Sequence, residues 1–363
     1  MSVLDLARPE LLALAGYSSA RLEASQGRIF LNANEAPESP VVGADCHRYP
    51  DPQPESLRQA LATLYGVDAD QCLVGRGSDE AIDLLTRVFC RAGQDAIVIS
   101  PPTFGMYAVC ARVQNAEVVE IPLDTTNGFA YPLEAVMARI MDPSASPVRL
   151  VYVCTPNNPT GNEVPFEWIE RLCLVSVGRC LVVVDEAYGE FSGTASATSL
   201  LSRHEHVVVL RTLSKAHGLA GERIGVCLAA PTVIGLLRKI MAPYPLPASA
   251  VALALQVLAP AALAATSARI AAANAERSRL AGLLRECPLV REVLPSAANF
   301  LAVRFTDPNR VYQHLLSRGI VLRQLQKYPG LADALRISIG TPAEHDELFT
   351  ALKALAGTRQ EAA

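Results

Sequence analysis

LVVVDEAY at residues 181–188 and VVVLRTLSK at residues 207–215 each join a short apolar run to a polar cluster. Apolar runs of this length, rich in valine and bounded by polar residues, are typical of strands buried on both faces. In α/β proteins, ligands bind at the carboxyl ends of such strands. The two segments therefore predict a parallel sheet with a functional site along one edge.

The same alternation extends outward through the middle of the chain. Helical patterns separate the apolar runs, at residues 80–90 after a Gly-Ser-Asp start and at residues 166–177 after Pro165. The candidate buried strands are residues 96–100, 118–121, 150–154, 181–185, 207–210 and 225–228. Strands that alternate with helices predict an α/β fold with a mostly parallel central sheet.

The pattern changes after residue 247, which indicates a second domain. An Ala/Arg-rich helical region runs to about residue 285, and strand-like segments follow at 300–305, 320–322 and 335–339. We expect a large domain over residues 31–247 and a smaller α+β domain over residues 248–363. Residues 1–30 are too few for a domain, so we expect them to pack on the small domain or on a partner subunit.

Composition excludes several classes of protein. Half of the residues are hydrophobic and 19% are charged, which is typical of a globular protein rather than a disordered one. The net charge of -4 is small and no block of five like charges occurs, so no nucleic-acid or membrane-surface partner is expected. The nine cysteines form no CxxC pair, and the first residues do not resemble a secretory signal; both favour a reducing cytoplasm.

Two other features of the sequence suggest a membrane span and a metal site, and neither is assigned. Residues 240–268 lack charged side chains, but four prolines interrupt them, so we expect a buried loop-and-helix junction and no membrane span. His204 and His206 are two residues apart with no third partner nearby, and no metal is assigned to them.

Three polar motifs follow predicted strands: TPNNPTG at 155–161, DEAY at 185–188 and TLSK at 212–215. A cofactor that withdraws electrons through a pyridine ring needs a lysine for its aldehyde and an acid beside its ring nitrogen. Lys215 and Asp185 can supply these groups. Asn158 and Tyr188 can donate hydrogen bonds to the phenolic oxygen of such a ring.

A cofactor phosphate needs fixed positive charge and backbone donors. A helix that starts at Gly77 can direct free N–H groups and the positive end of its dipole at an anion. The phosphate-binding candidates are Gly77, Ser78, Asp79, Thr212, Ser214 and Arg223.

These motifs, with TLSKAHGLAGERIG continuing the third, resemble the signature of the fold-type I aminotransferases, which use pyridoxal 5'-phosphate. Five further segments resemble the histidinol-phosphate aminotransferase branch: LNANE at 31–35, RYPDPQ at 48–53, GRGSDEAIDLL at 75–85, PPTFGMY at 101–107 and APYPL at 242–246. The likeness covers nearly the whole chain. It implies a fold-type I enzyme with a large and a small domain.

The resemblance also implies roles for individual residues. Lys215 would bond covalently to the cofactor aldehyde, Asp185 would pair with the ring nitrogen, and Asn158 and Tyr188 would bond the ring oxygen. Phe104 would stack on the ring where several relatives have tyrosine, although packing in the core is an alternative for it. One departure is Glu222, where relatives usually have a neutral residue; it either points outward or competes for the guanidinium of the neighbouring Arg223.

The same likeness implies a homodimer and an anionic substrate. Tyr49 would reach the cofactor phosphate of the neighbouring subunit. Arg336, Arg323, Tyr17 and Asn34 would contact the substrate. The implied reaction converts histidinol phosphate and 2-oxoglutarate to imidazole acetol phosphate and glutamate, as in histidine biosynthesis.

Other functions remain open at this point. An aromatic amino-acid aminotransferase or a phosphothreonine decarboxylase would share the cofactor residues and differ in the contacts of the small domain. A cofactor-sensing regulator would need an added DNA-binding segment, and no basic helix-turn-helix pattern precedes residue 30.

Overall fold

The computed structural model describes residues 2–18, 27–42 and 46–357 and contains two sheets. The strands are β1 (Cys72–Arg76), β2 (Ala96–Ile99), β3 (Glu117–Glu120), β4 (Val148–Cys154), β5 (Leu181–Asp185), β6 (Val207–Thr212), β7 (Ile224–Ala229), β8 (Val290–Val293), β9 (Phe300–Phe305), β10 (Arg323–Gln324) and β11 (Ala334–Ser338). The large sheet has the order β1-β7-β6-β5-β4-β2-β3, and the small sheet has the order β10-β11-β9-β8.

Helices cover both faces of the large sheet and one side of the small one. The α-helices are α1 (Pro9–Leu12), α2 (Glu55–Tyr65), α3 (Ser78–Phe89), α4 (Met106–Val113), α5 (Leu133–Met141), α6 (Phe166–Ser176), α7 (Pro231–Ile240), α8 (Ala248–Val257), α9 (Pro260–Arg285), α10 (Pro308–Leu316) and α11 (Pro342–Gly357). Short 3-10 helices lie at Val3–Leu6, Ala69–Gln71, Gly189–Phe191, Ala197–Leu200 and Ala220–Glu222.

Strand direction determines where the site forms. Strands β3, β2, β4, β5 and β6 pair in parallel, whereas β7 is antiparallel to both β6 and β1. The carboxyl ends of β1, β4, β5 and β6 therefore share one edge with the beginning of β7. The polar motifs predicted from the sequence follow these strands and meet at that edge.

The core confirms that the central strands are buried on both faces. Along β5, Val182 and Val184 pack into one apolar cluster, while Leu181 and Val183 pack into another on the opposite face. All four side chains are 0% exposed. The predicted α/β architecture with a mostly parallel sheet is confirmed.

Some predicted elements are shifted or differ in burial. Residues 118–121 were predicted to be a buried strand, but β3 is an edge strand with partly exposed side chains. The strand predicted at 320–322 is found instead at Arg323–Gln324. Strands β1 and β8 were not predicted; β1 contains Gly75, which weakens its sequence pattern.

The amino-terminal residues do not pack on the small domain, which was one of the two predicted partners, and contact with a partner subunit stays a prediction. Val3 and Leu6 are buried in the apolar cluster that contains the α7 residues Val233 and Leu237. Lys239 of the same helix donates to the carbonyl of Leu11 (3.2 Å). Residues 3–12 thus pack on helices of the large sheet, not on the small domain, because their apolar side chains complete that cluster.

The segment at 240–268 forms two helices in place of one buried junction. Helices α8 and α9 meet at an angle of 73°. Pro247 precedes α8, and Pro260 is the first residue of α9, where a proline costs no hydrogen bond. Most side chains of this segment are exposed or partly exposed, so the expectation of burial is wrong. No single helix in the described ranges is long and apolar enough to cross a membrane, although this bent pair passes that test when taken together.

Candidate active site

A cleft of about 760 Å³, open to solvent, lies at the edge where the strand ends meet. Its lining combines residues of the large sheet with one arginine of the small sheet. The lining residues are Gly77, Ser78, Asp79, Phe104, Cys154, Asn158, Asp185, Ala187, Tyr188, Thr212, Ser214, Lys215, Arg223 and Arg336. The structure therefore brings together all the cofactor-binding candidates except Tyr49. Another cavity, lined by Glu186 and Arg211, contains none of the predicted residues.

Asp185 is the buried acid of the cleft. It ends β5 and is only 2% exposed. Its Oδ2 accepts a hydrogen bond from the Tyr107 hydroxyl (2.6 Å), and its Oδ1 accepts one from the Ala187 N–H (3.1 Å). Burial raises the pKa of this carboxyl to about 6, although both hydrogen bonds act in the opposite direction. A cation placed beside Asp185 would favour its ionised form.

Lys215 is the amine of the cleft and remains accessible to solvent. Its Nζ lies 5.5 Å from the centre of the buried Tyr188 ring. Partial desolvation lowers the pKa of Lys215, and the positive charges of Arg336 and Arg223 lower it further. A lower pKa increases the fraction of neutral amine, which is the nucleophilic form.

Arg223 and the start of α3 form the anion-binding end of the cleft. The guanidinium of Arg223 lies 3.2 Å from the Asp79 carboxylate and donates to the Ser214 hydroxyl (3.4 Å). Thr212 accepts from the Ser214 N–H (3.1 Å), which fixes the turn after β6. The competing carboxylate is thus Asp79, whereas Glu222 makes no ion pair with Arg223 in the described part of the chain.

Two glycines allow close packing at the anion-binding end of the cleft. A Cβ on Gly77 would lie 2.7 Å from the Arg223 guanidinium, and the backbone of Gly77 has a φ of +78°. A Cβ on Gly225 would lie 2.0 Å from the Gly77 carbonyl carbon. Helix α3 can approach β7 this closely only because both positions lack side chains. The start of α3 thus lies beside the Arg223 guanidinium, and a helix start next to a fixed cation fits a phosphate.

We expect Gly225→Ala to destabilise the protein by about 1–3 kcal/mol, because the new methyl group must displace backbone at the start of α3. Thermal unfolding measures this change. The control is Gly235→Ala in α7, where an added Cβ meets nothing within 4 Å. An alanine in that helix should be neutral or slightly stabilising. Equal stabilities of the two variants would contradict the tight contact between β7 and α3.

The small sheet contributes Arg336 to the opposite side of the cleft. Arg336 lies on β11 and donates a hydrogen bond to the side-chain oxygen of Asn158. Its guanidinium stacks over the Phe300 ring at 5.1 Å, and the Tyr188 ring meets the edge of the same phenylalanine at 5.2 Å. The neighbouring Asn157 is buried and bonds to the Pro102 carbonyl (2.8 Å), so of the two asparagines only Asn158 reaches the cleft.

Four predicted residues do not line this cleft. Tyr17 is 71% exposed, and Asn34 is exposed with a left-handed backbone. Tyr49 is half-exposed and stacks on Tyr244 with ring centres 4.5 Å apart. Arg323 pairs with Arg336 across β10 and β11 and lines an adjoining groove of about 1270 Å³. The groove and the cleft share Arg336.

Tyr107 and Cys154 are site residues that the sequence did not single out. Cys154 lines the cleft at the end of β4, and Tyr107 reaches Asp185 from α4. The spacing offered one signal for Tyr107. It follows the predicted stacking residue Phe104 by only three positions and lies in the first turn of α4. Among the described residues, no group of three or more His, Cys, Asp or Glu is arranged to hold a metal.

Comparisons with known proteins agree with this geometry. The family model for aminotransferase class I and II matches residues 30–352. The chain is 50% identical to the histidinol-phosphate aminotransferase of Xanthomonas euvesicatoria pv. vesicatoria, and to that of Stenotrophomonas maltophilia, over 97% of each chain. A solved histidinol-phosphate aminotransferase from Sinorhizobium meliloti, in complex with pyridoxal-5'-phosphate, is 28% identical with a TM-score of 0.74; the match covers 86% of this chain and 84% of that one.

Proposed function

Because this chain belongs to the class I and II aminotransferase family, we propose that it transfers the amino group of L-histidinol phosphate to 2-oxoglutarate, with pyridoxal 5'-phosphate as cofactor. The products are imidazole acetol phosphate and L-glutamate, as in histidine biosynthesis. The observation that carries the proposal is the convergence of Lys215, Asp185, Asn158 and Tyr188 in one cleft. Relatives that are 50% identical over nearly their whole length support the choice of substrate.

The residues of the cleft fit pyridoxal phosphate from one end to the other. Arg223, Ser214 and the first turn of α3 would hold the phosphate. Asp185 would pair with the ring nitrogen, and Phe104 would lie on a ring face. Asn158 and Tyr188 would donate to the ring oxygen. When bound, the cofactor supplies an aldehyde for the amine and a protonated pyridine ring that withdraws electrons.

Lys215 is the residue that moves the proton. With the cofactor and the amino substrate bound, the Nζ of Lys215 would act as the base that accepts a proton from the substrate carbon and then as the acid that returns it. The lowered pKa of Lys215 helps the amine act first as a base and then as an acid. Asp185, ionised beside a protonated nitrogen, stabilises the positive charge that the reaction requires on the ring.

Arg336 provides one site for two different anions. A guanidinium can bind a phosphate or a carboxylate through two parallel hydrogen bonds. Histidinol phosphate ends in a phosphate and 2-oxoglutarate ends in a carboxylate, so one arginine can serve both half-reactions. The adjoining groove, which contains Arg323, extends from the same guanidinium and offers a second positive charge to the more highly charged phosphate.

We expect Arg336→Gln to lower kcat/KM for histidinol phosphate roughly 10- to 100-fold, because it removes a charged hydrogen bond worth about 1.5–3 kcal/mol. Steady-state kinetics with each substrate measures the loss, which should appear mainly in KM. The matched control is Arg318→Gln, which removes an exposed arginine of the adjoining groove. Equal effects of the two substitutions would contradict the assignment of Arg336.

One absorbance experiment tests the whole proposal. Purified protein is loaded with pyridoxal phosphate, and histidinol phosphate and then 2-oxoglutarate are added in turn. We expect the spectrum to convert from the pyridoxal to the pyridoxamine form and then to return. Conversion by an aromatic amino acid, but not by histidinol phosphate, would keep the aminotransferase class and reject this substrate. Carbon dioxide release from phosphothreonine would instead indicate a decarboxylase.

We also propose that the chain is a cytoplasmic homodimer with a large domain at 31–247 and a small one at 248–363. Tyr49 is half-exposed and absent from the cleft of its own chain, which supports a role in the neighbouring subunit. Tyr17 and Asn34 are also exposed, and we propose that they contact the substrate. All nine cysteines are free thiols, as expected in a reducing compartment. Light scattering during gel filtration should give twice the mass of one chain.

A further inference from the structure

A fully buried tyrosine contacts the acid that faces the cofactor's ring nitrogen in the proposed function. Tyr107 is 0% exposed and donates its hydroxyl hydrogen to Asp185 Oδ2 over 2.6 Å. The other oxygen of Asp185 accepts from the Ala187 N–H over 3.1 Å. Because each carboxylate oxygen has its own donor, the plane of the carboxylate is fixed at the carboxyl end of β5.

The Tyr107 ring is itself held between two aromatic side chains. It stacks on Tyr152 with ring centres 4.3 Å apart and an angle of 12° between the planes. Phe104 meets the Tyr107 ring edge-on, with ring centres 5.6 Å apart and an angle of 81°. Tyr107 therefore touches both Asp185 and the phenylalanine that lines the cleft above it. Its hydroxyl cannot leave Asp185 without disturbing this packing.

We propose that Tyr107 is a positioning residue for the cofactor: its hydroxyl keeps Asp185 ionised and oriented toward the ring nitrogen, while its ring fixes Phe104 against the ring face. This inference rests on the proposed function, since it assumes that a pyridine ring occupies the cleft. Tyr107 itself does not line the cleft and acts through its two neighbours.

The charges around Asp185 explain why a donor is needed there. Burial is the largest influence and raises the pKa of Asp185, and the negative charges of Asp79 and Glu186 raise it further. Cys154 on β4 is buried against Asp185 and remains a neutral thiol, because burial raises its pKa. Lys215, on the loop after β6, is the cationic group that faces Asp185. The Tyr107 hydroxyl is the leading influence that lowers the pKa of Asp185.

The test compares Tyr107→Phe with Tyr152→Phe. Both substitutions remove one hydroxyl from the same buried stack, but the Tyr152 hydroxyl makes no hydrogen bond within the described residues. Calorimetry on the cofactor-free protein measures the affinity for pyridoxamine 5'-phosphate between about pH 5 and pH 8. Pyridoxamine phosphate has an amine in place of the aldehyde and cannot form a covalent bond with Lys215. Its affinity therefore reports the non-covalent contacts of the ring and the phosphate.

We expect Tyr107→Phe to weaken pyridoxamine phosphate binding roughly tenfold near neutral pH, because Asp185 loses a charged hydrogen bond. The pH at which affinity falls should also move upward, since the carboxyl becomes neutral at a higher pH. Tyr152→Phe should match the unsubstituted protein in both respects. In an Asp185→Asn background, Tyr107→Phe should add little, because its partner can no longer be ionised.

Four results would overturn the inference. If Tyr107→Phe binds the probe like the unsubstituted protein at every pH, the hydroxyl has no role in binding. If both tyrosine variants weaken binding equally, or if the loss persists in the Asp185→Asn background, the hydroxyl serves packing alone. If the unsubstituted protein does not bind pyridoxamine phosphate, the proposed function fails with it. Thermal unfolding of each variant verifies that the fold is retained.

Discussion

Lys215→Ala is expected to reduce transamination by about 10⁴-fold or more, the largest loss among the substitutions considered. In the proposed function the side chain serves as nucleophile toward the aldehyde and as the group that moves the proton, and general acid–base catalysis alone contributes about 10²–10⁴-fold. Single-turnover kinetics should show that the proton transfer has slowed, while binding of the phosphate and ring contacts persists. Added small primary amines should restore part of the rate, because they can supply the missing base.

Chemical trapping identifies the lysine independently of the rate. Borohydride reduction of the protein with pyridoxal phosphate should add one cofactor mass to the peptide that contains Lys215. The control is Lys353→Ala, which removes an exposed lysine of α11 that does not line the cleft. That variant should retain full activity and the same labelled peptide. Labelling at another lysine in the unsubstituted protein would reject Lys215.

Asp185→Asn is expected to lower the rate by about 10³-fold, because a neutral amide cannot stabilise a protonated ring nitrogen. The substitution preserves size, so the loss should appear in kcat.

The charge of Asp185 should also make cofactor affinity depend on pH. Below about pH 6 the carboxyl becomes neutral, and cofactor affinity should fall in the unsubstituted protein. In Asp185→Asn the affinity should be weaker and should lack this step. An unchanged step near pH 6 in the variant would assign it to a different group.

The same substitution should stabilise the cofactor-free protein. The pKa of Asp185 in the folded chain is about 6, above the ordinary value of about 3.9, so stability falls as pH rises through this window. Above pH 6, keeping the buried carboxyl ionised lowers the free energy of unfolding by about 3 kcal/mol. An uncharged amide avoids this cost but loses one hydrogen bond of about 1 kcal/mol. We expect Asp185→Asn to be about 2 kcal/mol more stable at pH 8, with no advantage below about pH 4. Urea unfolding at both pH values measures this difference.

The sequence predicted those parts of the fold that depend on local pattern. β5 was predicted with its observed bounds, because its apolar run is bounded on both sides and both of its faces are buried. β1 was missed because Cys72–Arg76 becomes a strand through its pairing with β7, some 150 residues further along the chain. The packing of the amino-terminal residues on α7 was not predicted for the same reason, since Leu11 and Lys239 are 228 positions apart.

In the candidate site, too, features that depend on local sequence pattern were predicted and contacts between distant residues were not. The motifs after β4, β5 and β6 meet as predicted because parallel strands end at one edge, and the family resemblance is confirmed. The contact between Tyr107 and Asp185 joins residues 78 positions apart and depends on how α4 rests against β4. No short-range pattern specifies that packing. The roles of all the site residues remain predictions, and Tyr17, Asn34, Tyr49 and Arg323 do not line the cleft.

The direction of strand β7 determines which site residues lie on the same segment of the chain. Since β7 reverses the chain after β6, a single excursion between Thr212 and Gly225 carries both Lys215 and Arg223. The proposed amine for the aldehyde and the proposed arginine for the phosphate therefore lie on one hairpin. Among the described residues, Arg336 is the one member of the small sheet that lines the cleft. If the proposed roles hold, substitutions on β10 and β11 should alter which amino donor is accepted, provided that Arg336 is kept, because it also bonds Asn158.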